Sequence, residues 1–225
     1  MRIAGHLHDW DVDYRTARRL QEKMARRVLM CPLPKTIRLV AGADMAIDRL
    51  RDKFIAAVVV LRYPDMEPVE EVVVRAPAVF PYIPGLLTFR EGPAVLAAMH
   101  SIRSEPDVVM FDGQGLAHPR RLGLASHMGL WLGRPTVGAA KSRLIGEHRD
   151  PGPNRGNWAR LMDRGEQIGS VLRTRAGVRP LYVSPGHLCD HAGARRIVLN
   201  CCVRYRLPEP TRQAHAAVKR ARGGS

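Results

Sequence analysis

Three acidic residues lie at positions where a carboxylate has to be explained. Asp44 lies inside the apolar run LVAGADMAI, Asp112 follows the apolar segment VVMF, and Glu91 begins a helix-like segment. A buried carboxylate has to be hydrogen-bonded, paired or bound to a cation. If the three converge, they repel one another and stay ionised together only beside a positive charge. In a phosphate-binding protein the natural candidate is Mg²⁺, which takes oxygen ligands and activates a bound water. The three acids therefore indicate phosphodiester hydrolysis.

Each acid also has an ordinary interpretation when it is taken alone. Asp44 could be a core acid satisfied by backbone groups, and Asp112 could cap a turn. Glu91 could stabilise the first turn of its helix through the macrodipole, with Pro93 at an early position that tolerates proline. Convergence of all three is the observation that would favour catalysis.

The surrounding pattern predicts which elements carry these acids. Apolar periodicity predicts helices at 11–30, 91–102, 122–133, about 190–206 and 211–222, and strands at 37–47, 53–63, 70–80, 107–113, 135–140, 165–173 and 180–186. Short links between the first three strands suit antiparallel hairpins, and βα units follow. We expect an α/β, ribonuclease-H-like mixed sheet with helices on both faces, in a single domain spanning 1–225. A doubly wound fold would need crossover helices between the early strands. In the expected order, Asp44 and Asp112 lie on neighbouring strands.

Charge indicates a polyanionic partner. The chain has 225 residues, 36 Lys and Arg against 21 Asp and Glu, and a formal net charge of +15. Eight basic residues and one acid lie between Tyr14 and Ala43, and the same numbers lie between His191 and the end. Such clusters favour nucleic acid. A membrane surface is the rival partner, but no helix pairs a basic face with a strongly aromatic one. We expect the basic tail, about 216–225, to fray.

Composition also bounds the location of the protein. The longest apolar run, 54–61, is too short to span a bilayer, and the polar start does not resemble a secretory signal. The four cysteines form no CxxC pair, which favours buried reduced thiols over a zinc site or a disulfide framework. We therefore expect a soluble, cytoplasmic protein.

The turn PYIPG, residues 81–85, is unusually apolar for a connection between elements. Taken alone, Tyr82 and Ile83 would be expected to pack on the core, because apolar loop residues are usually buried. The alternative is a rigid apolar wedge that contacts a nucleic-acid base.

Six motifs together resemble one known family, endonuclease V, the deoxyinosine 3′-endonucleases. They are VAGADMAID (40–48), PYIPGLLTFREGP (81–93), FDGQGLAHPRRLGLASHMGL (111–130), PTVGAAKSRL (135–144), LYVSPGH (181–187) and RLPEPTRQAH (206–215). The resemblance implies a Mg²⁺-dependent DNA-repair nuclease, with Mn²⁺ as an ion that could substitute. It implies hydrolysis of the second phosphodiester bond 3′ to deoxyinosine in DNA, leaving 3′-hydroxyl and 5′-phosphate ends. Inosine-containing RNA is a second implied partner, and no obligate protein partner is implied.

The resemblance also carries residue roles onto this chain. It implies metal binding by Asp44, Glu91 and Asp112, with Lys141 and His215 as further catalytic residues. It implies a DNA wedge at Pro81, Tyr82, Ile83 and Pro84, and a phosphate contact at His118. The implied base pocket comprises Gly85, Leu87, Gly113, Leu124, Gly138 and Leu144. Taken alone, Lys141 could be a surface lysine, His215 a solvated histidine, and His118 a histidine bonded within its loop.

Two other functions remain open at this point. A ribonuclease-H-like nuclease could recognise a nucleic-acid structure such as a junction, although junction recognition needs no wedge. A catalytically silent nucleic-acid-binding protein is the other, although binding alone needs no acidic trio.

Overall fold

The computed structural model describes residues 5–48, 53–77 and 80–223. The helices are α1 (Tyr14–Ala25), α2 (Leu87–Ser101), α3 (Leu124–Leu132), α4 (His191–Cys201) and α5 (Glu209–Gly223). The strands are β1 (Leu39–Asp48), β2 (Lys53–Arg62), β3 (Pro68–Pro77), β4 (Val108–Phe111), β5 (Thr136–Ala140), β6 (Trp158–Asp163), β7 (Glu166–Leu172) and β8 (Leu181–Pro185).

The strands form one mixed sheet in the order β3-β2-β1-β4-β5-β8-β7-β6. β1, β2 and β3 pair antiparallel, and β4 and β5 continue from β1 as parallel neighbours. β8, β7 and β6 complete the sheet in antiparallel pairs. This is the ribonuclease-H-like arrangement, so the predicted fold class is confirmed.

β2 shows how the sheet is covered on both faces. Its residues from Phe54 to Leu61 are all buried, because successive side chains point to opposite faces and both faces are covered. Phe54, Ala56 and Val58 belong to the core cluster that includes α2. Ile55, Ala57 and Val59 belong to the cluster that includes α5. The uninterrupted apolar run FIAAVVVL therefore forms a central strand between two helices.

The structure differs from the predicted elements in several places. β6 was not predicted, because its side chains are mostly exposed or half-buried and its apolar pattern is weak. α2 begins at Leu87, so Glu91 lies in its second turn and Pro93 inside it, contrary to the expected first-turn positions. α5 continues to Gly223 with Ala217 and Val218 buried, so it includes the first part of the tail for which fraying is expected. Residues 78 and 79 of the predicted strand 70–80 lie outside the described residues. The same is true of residues 224 and 225 of the tail.

The start of α5 packs directly on the backbone of β1. A Cβ atom at Gly42 would lie 2.1 Å from the carbonyl carbon of Pro210, which no real contact permits. Glycine at this position thus lets α5 approach β1 closely enough to bring His215 to the site described below. No helix among residues 5–48, 53–77 and 80–223 has the length and apolarity that crossing a membrane requires.

A buried histidine pair joins the N-terminal segment to α3. Trp131 Nε1 can only donate, so His8 Nε2, 3.3 Å away, accepts, and His8 Nδ1 donates to the Asp9 carbonyl at 2.8 Å. His127 Nε2 then donates to His8 Nε2 at 2.7 Å. His127 Nδ1 is left without a partner among the described residues. Both rings are therefore neutral, and burial lowers the pKa of each below the ordinary value of 6.5.

This pair makes stability depend on pH in a defined direction. Because the folded-state pKa values are lowered, the unfolded chain binds more protons as the pH falls. The unfolding free energy is therefore highest above the ordinary histidine pKa and falls as the pH decreases below it. We expect each ring to remove up to about 1.4 kcal/mol of unfolding free energy per pH unit in that range. Urea unfolding at about pH 7.5 and about pH 5.5 measures this loss.

Two variants isolate the pair from other titrating groups. His127→Gln should show a smaller loss of stability between the two pH values, because one buried ring no longer has to stay neutral. His6→Gln alters a histidine whose side chain is 70% exposed and should keep the wild-type dependence. Identical pH slopes in His127→Gln and wild type would contradict this account.

Candidate active site

The sheet brings two of the predicted acids side by side. Ala43 in β1 pairs with Phe111 in the parallel strand β4, so Asp44 and Asp112, the next residues, are adjacent. Glu91 faces them from α2. The pKa of Glu91 is raised to about 8, chiefly by burial and also by the charges of Asp44 and Asp112, against the opposing effect of Arg90. The three carboxylates thus lie close enough to affect one another's ionisation.

Two cationic or protonatable side chains contact this acidic group. His215 Nδ1 lies 2.7 Å from Asp44 Oδ2, and the Lys141 ammonium forms an ion pair with Asp112 Oδ2. Burial raises the pKa of Asp44, the hydrogen bond with His215 lowers it, and the charge of Asp112 raises it again. The structure therefore brings together all five residues for which a catalytic role was predicted, from β1, α2, the ends of β4 and β5, and α5.

The acidic group fits a divalent ion by its composition, although its side chains are not yet arranged around one. Within the described parts of the chain, no three His, Cys, Asp or Glu side chains are arranged to share a metal ion already. One oxygen each of Asp44 and Asp112 is bonded to His215 and Lys141 instead. The composition of the group still fits a hard cation, because crowded carboxylates that raise one another's pKa gain most from nearby positive charge.

A pocket of about 400 Å³ opens beside the acids. Asp112 and Lys141 line it, so the acidic group and the pocket share a wall. The other lining residues with predicted roles are Tyr82, Ile83, Pro84, Gly85, Leu87, Gly113, His118, Leu124 and Leu144. The volume lies within the range of small-ligand pockets.

Gly138, predicted to contribute to the base pocket, lies beneath its wall instead. A Cβ atom there would lie 2.4 Å from the Gly113 carbonyl oxygen and 2.7 Å from the Gly115 nitrogen. Gly138 therefore allows the loop after β4 to rest against β5. Pro81, predicted as part of the wedge, is exposed but is not among the lining residues.

The PYIPG turn combines one protruding and one anchored apolar side chain. Tyr82 is 67% exposed. Ile83 is half-buried and packs against the cluster that contains Phe80, Leu86 and Phe89. The expectation of a core-packed loop therefore holds for Ile83, whereas Tyr82 projects at the pocket. Leu144, which also lines the pocket, is 51% exposed.

His118 is buried and bonded within the protein. Its Nε2 lies 3.1 Å from the Gly85 carbonyl oxygen, and its Nδ1 accepts from the Arg120 backbone N–H at 3.2 Å. Burial lowers its pKa to about 4, with the charge of Arg120 contributing. Both ring nitrogens are bonded within the protein, Nδ1 in its own loop and Nε2 to the PYIPG turn, so this geometry favours an internally bonded histidine over the phosphate contact.

Three residues at the pocket were missed by sequence reasoning. Gln114 donates from Nε2 to the Ser142 carbonyl at 3.0 Å and so ties the loop after β4 to the loop after β5. Gln21 and Arg120 both contact Gly85. The available signal was weak: Gln21 shares the buried stripe of α1 with Ala17 and Met24, where a polar residue is unusual.

The two basic clusters differ in how they are used. In the C-terminal cluster, Arg220 pairs with Glu71, Arg212 pairs with Glu209, and Arg206 donates to the Lys141 and Pro180 carbonyls. Much of its charge therefore serves internal contacts. The arginines of α1, Arg15, Arg18 and Arg19, are all exposed. That surface is the better match to an extended polyanion.

Comparison with known proteins decides the family. The model of the endonuclease V family matches residues 22–216. The chain belongs to the endonuclease V family. The predicted family and enzyme class are thereby confirmed, and the protein is a nuclease. Endonuclease V of Methanothrix thermoacetophila is 50% identical over 217 residues, which cover 96% of each chain.

Solved structures agree with this assignment. The crystal structure of endonuclease V from Streptomyces avermitilis superposes with a TM-score of 0.90 at 40% identity, covering 94% of both chains. Endonuclease V of Ciona intestinalis, at 26% identity and a TM-score of 0.82, covers 93% of this chain and 98% of its own. That protein was crystallised with a 24mer DNA containing an inosine followed by a ribo-adenosine.

Proposed function

We propose that this endonuclease V hydrolyses the second phosphodiester bond 3′ to a deoxyinosine, leaving 3′-hydroxyl and 5′-phosphate ends. One observation carries the proposal: the Asp44–Glu91–Asp112 group shares a wall with a pocket that has the exposed Tyr82 at its edge. Such a site can hold an extruded base and a backbone phosphate at the same time. The inosine-containing DNA bound by the Ciona relative supports this choice of substrate. The proposal extends to inosine in RNA, which presents the same base.

Asp44, Glu91 and Asp112 would hold Mg²⁺, with Mn²⁺ as a substitute. The ion would lower the pKa of a bound water and neutralise charge on the scissile phosphate. Its positive charge would also favour the ionised form of Glu91, whose pKa burial raises to about 8.

The protein's own groups supply the rest of the chemistry. The Lys141 ammonium, paired with Asp112 at the pocket wall, can donate to an oxygen of the scissile phosphate as negative charge develops there. The Asp44 carboxylate accepts from His215 Nδ1–H, which leaves the lone pair on Nε2. His215 Nε2 can therefore orient a water or accept its proton.

The pocket would receive the flipped base. Hypoxanthine differs from adenine by a carbonyl at C6 and a proton on N1, and backbone N–H and C=O groups can read that pattern. Leu87, Gly113, Leu124 and Leu144 line the pocket and would supply such groups. The Gly85 carbonyl is engaged by side chains, so its contribution would come from its N–H.

Tyr82 would occupy the space left in the base stack. Tyr82→Ala should weaken binding to a deoxyinosine duplex by about 1–3 kcal/mol, the value of one base–aromatic stack, and leave binding to undamaged DNA nearly unchanged. Fluorescence anisotropy with both duplexes, in a buffer that does not support cleavage, measures the difference. Tyr205→Ala is the matched control, because Tyr205 is 51% exposed but lies against Arg212, away from this pocket. An equal loss on both duplexes would make Tyr82 a general DNA contact and remove the support for lesion recognition.

A further inference from the structure

We infer that Gln21 and Arg120 are positioning residues that hold the PYIPG turn ready for insertion by fixing the Gly85 carbonyl. This inference rests on the proposed function, because it concerns how the wedge of that function is supported. Neither residue belongs to the predicted site. Each bonds to the turn, and the side-chain hydrogen bonds that the structure shows for them go to Gly85, Leu122 and each other.

The geometry centres on one oxygen atom. Gln21 Nε2 lies 3.0 Å from the Gly85 carbonyl oxygen, Arg120 Nη2 lies 2.7 Å from it, and His118 Nε2 lies 3.1 Å from it. A carbonyl oxygen has two lone pairs, so three donors saturate it. Arg120 Nε also donates to Gln21 Oε1 at 2.5 Å. The two side chains therefore form a closed unit with the turn.

Burial keeps this hydrogen-bonded unit in one arrangement. Gln21 is 1% exposed, and its amide has a further, longer contact of 3.4 Å to the Leu122 carbonyl. A buried amide that loses its partners is costly, so the arrangement resists rearrangement. Gly85 has a φ of +78°, and a Cβ atom there would lie 2.8 Å from Arg120 Nη2. Glycine thus provides both the left-handed backbone and the space for the guanidinium.

The turn has few other restraints beside this unit. It contains no regular secondary structure before α2, and a 3.0 Å bond from the Leu86 N–H to the Ile83 carbonyl closes it. Ile83 packs on the core, but Tyr82 projects into solvent. A turn already fixed in its inserted form loses less conformational entropy when it binds. Because Gln21 belongs to α1, the same unit links the exposed basic face of that helix to the wedge.

Arg120→Lys is the primary test. Lysine keeps the positive charge but lacks the planar fork through which Arg120 Nε and Nη2 donate to Gln21 and Gly85, so the variant separates geometry from charge. We expect the Kd for a deoxyinosine duplex to rise about tenfold, equivalent to about 1.4 kcal/mol. We also expect a smaller fluorescence increase from 2-aminopurine beside the lesion, which reports unstacking. Affinity for undamaged DNA should stay within about twofold. Arg121→Lys is the matched control, because Arg121 pairs with Asp163 and Glu166 on the β6–β7 hairpin.

Gln21→Met is the second variant, because it preserves length and removes the hydrogen bonds of Gln21 with Gly85, Arg120 and Leu122. If Arg120→Lys fails to fold, Gln21→Met decides the matter with the same readouts. Wild-type lesion affinity and 2-aminopurine signal in a folded variant would overturn the inference and leave the proposed function intact. An equal loss on undamaged DNA would also overturn it, since that result marks a phosphate contact. Wild-type protein that does not prefer the deoxyinosine duplex would instead overturn the proposed function.

Discussion

Replacing Asp112 by asparagine should lower the rate of deoxyinosine-dependent cleavage by about 10³-fold or more, because the proposed ion contributes several kcal/mol of transition-state stabilisation. Asp112 lies beside Asp44, pairs with Lys141 and lines the pocket, so the change removes charge at the centre of the site. Binding to deoxyinosine DNA should persist, because the wedge and the pocket remain. Single-turnover cleavage and anisotropy on the same duplex measure the two effects separately.

Asp107→Asn is the matched control at the opposite end of β4. Asp107 Oδ2 accepts from the backbone N–H groups of Arg38 and Leu39 at 2.7 and 3.0 Å, and an asparagine oxygen can accept in their place. This variant should cleave nearly as well as wild type. Cleavage by Asp112→Asn at near the wild-type rate would remove Asp112 from the catalytic group.

Replacing Lys141 by methionine should lower the single-turnover rate by about 10²- to 10³-fold, the usual effect of removing one donor to a developing anion. The substitution preserves side-chain length and removes only the ammonium. Lys141→Arg should restore part of the rate, since the charge returns with a different shape. Lys35→Met loses the same charge at an exposed position beside Tyr63 and Arg196 and should stay close to wild type. A Lys141→Met rate within a few-fold of wild type would return this residue to an ordinary surface lysine.

Strand order was enough to predict where two acids lie. The early hairpins place β1 in the middle of its group, and the following βα unit places β4 beside it, so Asp44 and Asp112 become neighbours. Glu91 lies near the other two acids, as predicted, but in the second turn of α2 and not in the first. Leu86, the residue before α2, makes no capping bond with its side chain, so no sequence signal marked the start at Leu87. Burial of Phe89 in the cluster under the turn outweighs the weak local preference.

Long-range contacts account for what sequence could not predict. The half-burial of Ile83 depends on Ala17 and Phe80, and the Gly85 anchor joins residues from α1, the turn and the loop after β4. Contacts between residues so far apart in the chain leave no local periodicity or motif spacing in the sequence. The burial of His118 likewise follows from the turn that covers it, so its motif alone did not distinguish an internal bond from a phosphate contact.

The most direct measurement maps the cleavage of end-labelled duplexes that carry one deoxyinosine, in Mg²⁺ and in excess chelator, beside an undamaged duplex and a matched single-inosine RNA. The account predicts one Mg²⁺-dependent nick at the second phosphodiester bond 3′ to the deoxyinosine, with a 3′-hydroxyl and a 5′-phosphate, and no nick in the undamaged duplex. The RNA lane shows whether the same site accepts inosine in RNA. Cleavage that ignores the lesion, or cleavage that persists in chelator, would contradict the account.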